Sequence, residues 1–184
     1  MNLKLDIANS PEDIEQILRL QQQNLKTNLS VAEALSNGFV TVRHEQNVLA
    51  KMASVAPQII AKDENYLIAY ALTMPEAFAA LVPVLQPMFD SFKNLTFRDK
   101  KIPDYNYYVM GQICIAEGYR GIGLFDQLYA KHKTVCGEYF DLCVTEISAR
   151  NARSLRAHAR VGFQTIHTFR DATDDWHVVA WDWK

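Results

Sequence analysis

A chain of 184 residues is long enough for one domain with a substantial core and too short for two comfortable ones, and 49% hydrophobic with 22% charged residues lies far from the disordered and coiled-coil extremes. A formal net charge of −2 argues against a dedicated binder of nucleic acid or of an anionic membrane, which needs a net basic footprint to displace counterions. The three cysteines, Cys114, Cys136 and Cys143, are odd in number and share no C-x-x-C spacing, so neither a disulfide framework nor a zinc or other metal site is indicated, and reduced thiols in a cytoplasm fit best.

Acidic residues interrupt the N-terminal segment before any run that would serve as the apolar core of a signal peptide, so export is not expected. Residues 3–7 alternate as a half-buried strand does. Ser10, Pro11 and the acids after them open a helix with Ile14, Ile17, Leu18 and Leu25 at helical spacing. A short helix over 31–36 ends at Asn37-Gly38, and 38–44 then alternate as a second strand. Residues 47–55 read as a helix, followed by a hairpin turning at Asp63, Glu64 and Asn65.

The most apolar stretch, 67–89, is broken by Pro75, Glu76, Pro83 and Pro87, which suits buried or groove-lining pieces rather than a membrane span; two short helical pieces are expected between 75 and 94, then a loop. Residues 107–115 are apolar on both faces, as in a central strand. A helix of about four turns carries Leu124, Leu128 and Val135 and ends near Gly137. A strand, a helix over the segment from Asn151 to Gly162, and two alternating strands complete the chain.

Three of the seven glycines, Gly118, Gly121 and Gly123, fall between the central strand and the four-turn helix. Such a junction aims backbone N–H groups and the positive end of a helix at one point, which suits a phosphate; a plain tight turn is the alternative. Gly123-Leu124-Phe125 lacks the G-K-[ST] of a P-loop, and Gly121-Ile122-Gly123 lacks the third glycine of a dinucleotide fingerprint. Downstream, Asn151, Ser154 and His158 fall at i, i+3 and i+7, one polar stripe, with Ala152, Leu155, Ala159 and Gly162 as the apolar stripe beside it.

Arg120-Gly121-Ile122-Gly123-Leu124-Phe125 resembles the pattern [QR]-x-x-G-x-[GA] by which the GNAT superfamily of N-acetyltransferases holds the pyrophosphate of acetyl-CoA, with Phe125 where that family usually has glycine or alanine. The segment from Asn151 to Phe163 resembles the family's N-x-x-[AS]-x-x-x-[YH]-x-x-x-G-F, in the family's order and separation. The resemblance implies an α/β (α+β) fold over 1–184 as a single domain, with a central mixed, mostly antiparallel sheet of about six or seven strands, flanked by helices and splayed at the cofactor cleft. It further implies that main-chain groups of Ile113, Cys114 and Ile115 bond the pantetheine and the acetyl carbonyl. The amides of Gly121, Ile122, Gly123, Leu124 and Phe125 then hold the pyrophosphate with Arg120 beside it, and Asn151 and Ser154 line the far side of the pantetheine.

By the same resemblance His158 takes the place where many relatives carry a tyrosine as general acid, donating a hydrogen bond to sulfur. The activity implied is transfer of an acetyl group from acetyl-CoA to an amine acceptor by direct attack in a ternary complex; a catalytically silent acyl-CoA-binding or sensor module is the alternative. No general base is identified: Glu146, on the strand before the second motif, is one candidate, although an exposed strand carboxylate is the commoner outcome. Cys114 has no histidine placed by sequence to activate it. A Ser154–His158 hydrolase lacks an acidic orienter. The acceptor site falls to the N-terminal helices, the 75–103 segment and the last hairpin, and the tryptophans of that hairpin, Trp176, Trp181 and Trp183, either pack the core or form a homodimer edge.

Overall fold

The structure, a computed structural model, describes residues 2–184, of which 35–37 by their backbone alone. The strands are β1 (Leu3–Ile7), β2 (Ile59–Asp63), β3 (Tyr66–Met74), β4 (Thr96–Phe97), β5 (Lys100–Lys101), β6 (Tyr107–Ile115), β7 (Leu142–Ser148), β8 (Gln164–Arg170) and β9 (Asp175–Asp182). The helices are α1 (Pro11–Asn24), α2 (Val31–Asn37), α3 (Gln46–Val55), α4 (Gln86–Phe92), α5 (Leu124–Cys136) and α6 (Ala152–Val161).

Seven strands form one sheet in the order β1-β2-β3-β6-β7-β9-β8. Every pairing is antiparallel except that of β6 with β7, which is parallel. That pairing is short. It holds at Tyr107–Leu142, Tyr108–Cys143 and Val109–Val144 and then stops, although both strands continue. Where the ladder ends, the Thr145 hydroxyl donates to the Met110 carbonyl at 2.9 Å, so a side chain takes over from the next backbone bond. On its other edge β6 stays paired with β3 to Ile115, with a bulge: Leu72 opposes Gln112 and Thr73 opposes Met110, leaving Gly111 as the extra residue. The bulge turns β6 away from β7 and the two strands diverge.

Each face of the sheet carries its own core. α1, α3 and α4 cover one face through Ile17, Leu49, Met52, Phe89 and Phe92, against Tyr107, Val109 and Val144. On the other face α5 lays Leu124, Leu128 and Tyr129 over Tyr108, Met110 and Cys143, with Leu155 of α6 at its margin. α1 begins with a reciprocal cap: the Asp13 amide donates to the Ser10 hydroxyl at 3.2 Å, and the Ser10 amide donates back to the Asp13 carboxylate.

Three local expectations are corrected. Residues 38–44 are extended but form no strand beyond an isolated bridge between Leu25 and Val40. Their partners are side chains: Gln112 donates to the Val42 carbonyl, and the His44 amide donates to Gln21 at 2.8 Å. Between β3 and β6, antiparallel neighbours that a tight turn would join, the chain makes three 3₁₀ turns (Glu76–Leu81, Pro83–Leu85 and Ile102–Asp104), α4 and the β4–β5 ribbon, more pieces than the two expected. On α6 the buried side is the polar stripe, because Ala152 and Ala159 are exposed whereas Asn151 and His158 are buried.

Candidate active site

The divergence of β6 and β7 opens a cleft of about 460 Å³. Its floor is the free edge of Ile113, Cys114 and Ile115, which pair with β3 on their other side. Cys114 contributes backbone only: its thiol is turned under α1 beside Tyr70, and burial pushes it up to about 12, so it is no nucleophile. Asn151 and Ser154 form the opposite wall. The Asn151 side chain caps α6 by accepting from the Ser154 amide at 3.2 Å, which fixes both residues at the rim.

The glycine turn closes one end. Gly121 and Gly123 both have φ of 81°, a backbone that only glycine adopts without strain. Gly123 is the N-cap of α5 and brings no side-chain cap. The first bond into the helix runs from the Gln127 amide to the Gly123 carbonyl, so the amides of Leu124, Phe125 and Asp126 precede the first intrahelical donor. An uncapped helix start beside a cleft lined by Arg153, Arg156 and Arg160 is a seat for an anion.

Gly121, Gly123, Leu124 and Phe125 line the cleft, whereas Ile122, 44% exposed, is not among its lining residues. The Phe125 ring packs on Tyr129 and His158, each with centroids 5.1 Å away, and this explains how a bulky residue is tolerated there. Arg120 is held back: its Nε donates to the Ile115 carbonyl at 3.0 Å and a terminal nitrogen to Asn24 Oδ1 at 2.7 Å, tying β6 to α1 across the end of the cleft.

Beyond Asn151 and Ser154 the cleft continues into a smaller cavity of about 90 Å³, lined among others by Phe39, Met110, Glu146, His158 and Trp176. Glu146 is the residue that sequence reasoning left undecided. It is partly buried with no ion pair among the described residues, and burial pushes its carboxyl up to about 7; the Ser91 hydroxyl, 3.4 Å away, opposes the rise, and Asp171 adds a smaller push upward.

Solved structures resemble this chain over its whole length. The ribosomal-protein-S18-alanine N-acetyltransferase of Escherichia coli matches with a TM-score of 0.64 at 11% identity, covering 98% of this chain and 93% of that one. An N-acetyltransferase from Staphylococcus aureus Mu50 gives 0.65 at 16%, covering 100% of both. A GNAT superfamily phosphinothricin acetyltransferase from Sinorhizobium meliloti, solved with acetyl-CoA, gives 0.65 at 16%, covering 99% of this chain and 89% of that one. No protein-family model matches the chain, and no curated protein does. The chain has the GNAT fold.

His158 lines the smaller cavity, and its geometry does not suit a proton donor. Nδ1 lies 2.8 Å from the Ser154 carbonyl, which only accepts, so Nδ1 carries the proton of the neutral ring and Nε2 is left as an acceptor. The residue is 2% exposed, and burial pulls it down to about 4, so near neutrality no second proton is present to give. The same bond closes the hydrolase reading: Ser154 Oγ is 3.2 Å from Nδ1, a nitrogen that already bears its hydrogen and cannot take another from serine. Among the described residues no group of three or more His, Cys, Asp or Glu is placed to hold a metal ion, and no helix is long and apolar enough to cross a membrane.

Proposed function

We propose that this chain is a single-domain N-acetyltransferase that moves the acetyl group of acetyl-CoA to a primary amine within a ternary complex. The observation that carries this reading is that the cleft between the uncapped start of α5 and the unpaired edge of β6 adjoins the cavity of Glu146, the two sharing Ile113, Asn151 and Ser154 as wall. The residues present fit a CoA thioester. Gly121 and Gly123 hold backbone amides open at the anion end, and an added Cβ at Gly121 would meet no atom within 4 Å, so the surface there is unobstructed. The edge of Ile113–Ile115, which runs past β7 without pairing to it and has its Ile115 carbonyl taken by Arg120, suits an amide-bearing chain lying alongside at Ile113, with Asn151 and Ser154 opposite. Acetyl-CoA supplies an electrophilic thioester carbon and a thiolate leaving group.

The side chains of this protein then manage protons and position. Glu146, near half-ionised at neutrality, takes one proton from the incoming ammonium and frees the nitrogen lone pair. As the C–N bond forms and the C–S bond breaks, the second amine proton leaves with the departing sulfur as CoA thiol, and Glu146 returns its proton to solvent. Ser154 keeps a hydroxyl hydrogen to offer into the cleft, because His158 presents its own N–H toward the Ser154 oxygens. Cys114, Cys136 and Cys143 are all free thiols, which suits a reducing cytoplasm.

Calorimetric titration with acetyl-CoA, followed by a free-thiol assay with a mixture of primary amines, tests the reading. Binding with amine-dependent CoA release is the expected result. Tight binding with no release from any amine would instead identify a silent acyl-CoA-binding module.

A further inference from the structure

The smaller cavity also describes the acceptor. Its one ionisable wall residue of acidic character is Glu146, and among the described residues no lysine or arginine lines it. The rest of the wall is aromatic, aliphatic or neutral: Phe39, Met110 and Trp176, with Thr41, Thr145 and Ser148. Trp176 contributes an aromatic wall whose indole nitrogen is buried. The nearby arginines are engaged elsewhere, Arg150 of the β7–α6 turn with Asp174 at 3.2 Å and Arg170 at the end of β8 with Asp175 at 2.6 Å. Lys26 stands over the Phe39 ring at 4.9 Å but lies outside the lining. Asp171 adds negative potential at Glu146.

A carboxylate on the carbon next to the reacting nitrogen would sit in this cavity within a few ångströms of Glu146, with no cation to meet it. An ammonium on an apolar body meets the opposite situation, a counter-charge and two aromatic faces. From this we infer that the acceptor is an alkyl- or arylalkylamine with no carboxylate beside the amine, and not an α-amino acid. The inference rests on the acetyl-transfer reading above and narrows its substrate class.

The test uses the full chain at saturating acetyl-CoA and three acceptors of one skeleton: phenethylamine, phenylalanine and phenylalanine methyl ester, with the acetylated products identified by mass. The expected kcat/KM, expressed per free amine, is at least about tenfold higher for the amine than for the amino acid, the scale on which a site refuses a group it cannot pair, with the ester recovering most of the loss because it removes the carboxylate charge. Thr41→Lys, which sets a cation in the cavity wall, should shift the ratio of amino acid to amine at least about tenfold toward the amino acid. Equal or better use of phenylalanine by the unaltered protein overturns the inference and leaves the transferase standing. Absence of CoA release with every acceptor, despite acetyl-CoA binding, overturns the transferase reading itself.

Discussion

A carboxylate taken out of water without a cation beside it holds its proton more tightly, and at Glu146 this brings the pKa to about 7, where a base both accepts and returns protons readily. Activity should therefore fall as pH drops below about 7, because the protonated form cannot accept the amine's proton. Glu146→Gln is expected to lower kcat/KM by about 10²- to 10⁴-fold and to erase that acid limb, with acetyl-CoA affinity unchanged; pH–rate profiles and calorimetry check both. An intact acid limb in the variant would assign it to another group. Glu146 was visible in the sequence as a strand acid, but its surroundings were not, since the burial that raises it and the Ser91 and Asp171 groups that modulate it come from segments far from it along the chain. The polar stripe of Asn151, Ser154 and His158 was legible from spacing, and all three line the smaller cavity. The hydrogen bond of His158 was missed although the signal is local: a histidine in the last turn of a helix four residues after Ser154 is placed to take that residue's carbonyl.

Among the elements, the turn into α5 is the one whose function depends on backbone shape alone. A Cβ would meet nothing within 4 Å at Gly118 or Gly121 and only the Gln127 side-chain nitrogen at 4.0 Å at Gly123, but of the three only Gly121 and Gly123 have positive φ. Gly121→Ala or Gly123→Ala should each destabilise the protein by about 1 kcal/mol through backbone strain and, by re-aiming the amides, weaken acetyl-CoA about tenfold; Gly118→Ala should do neither. Thermal melts and calorimetric titration of the three variants decide this, and equal effects at Gly118 would overturn it. Helix starts such as Ser10 and helix stops such as Gly38 and Gly162 were readable because caps are local chemistry. The false strand at 38–44 shows the limit. Its alternation is real, but the inward positions are met by Gln21 and Gln112 side chains from α1 and β6, and no sequence pattern reports which partner an extended segment finds.

For the whole molecule, order of elements was legible and spatial order was not: the sheet sequence β1-β2-β3-β6-β7-β9-β8, and above all the brief β6–β7 pairing that makes the cleft, depend on long-range closure and on a bulge at Gly111. The two cores that result also enclose three histidines, His44 at 3%, His132 at 0% and His158 at 2% exposure, each pulled by burial from about 6.5 to about 4. The native state keeps them neutral, held by bonds such as His132 Nε2 to the Ala71 carbonyl at 3.0 Å. The unfolded chain protonates them near their ordinary value, so it binds more protons than the native state between pH about 6.5 and about 4. Stability is fully present above that window and declines as pH falls through it, by about 1 kcal/mol per histidine per pH unit. Glu146 works in the opposite sense, since its raised pKa lets the native state bind a proton first, and it offsets about one of the three. Melting temperature should accordingly drop by about 5 °C per unit between pH 6 and pH 4.5, with little change between pH 7.5 and pH 6.5. In His132→Gln the slope should be shallower by about a third of the three-histidine contribution, because one titrating site is gone. A melting temperature independent of pH across the window would mean that the buried imidazoles do not govern acid stability.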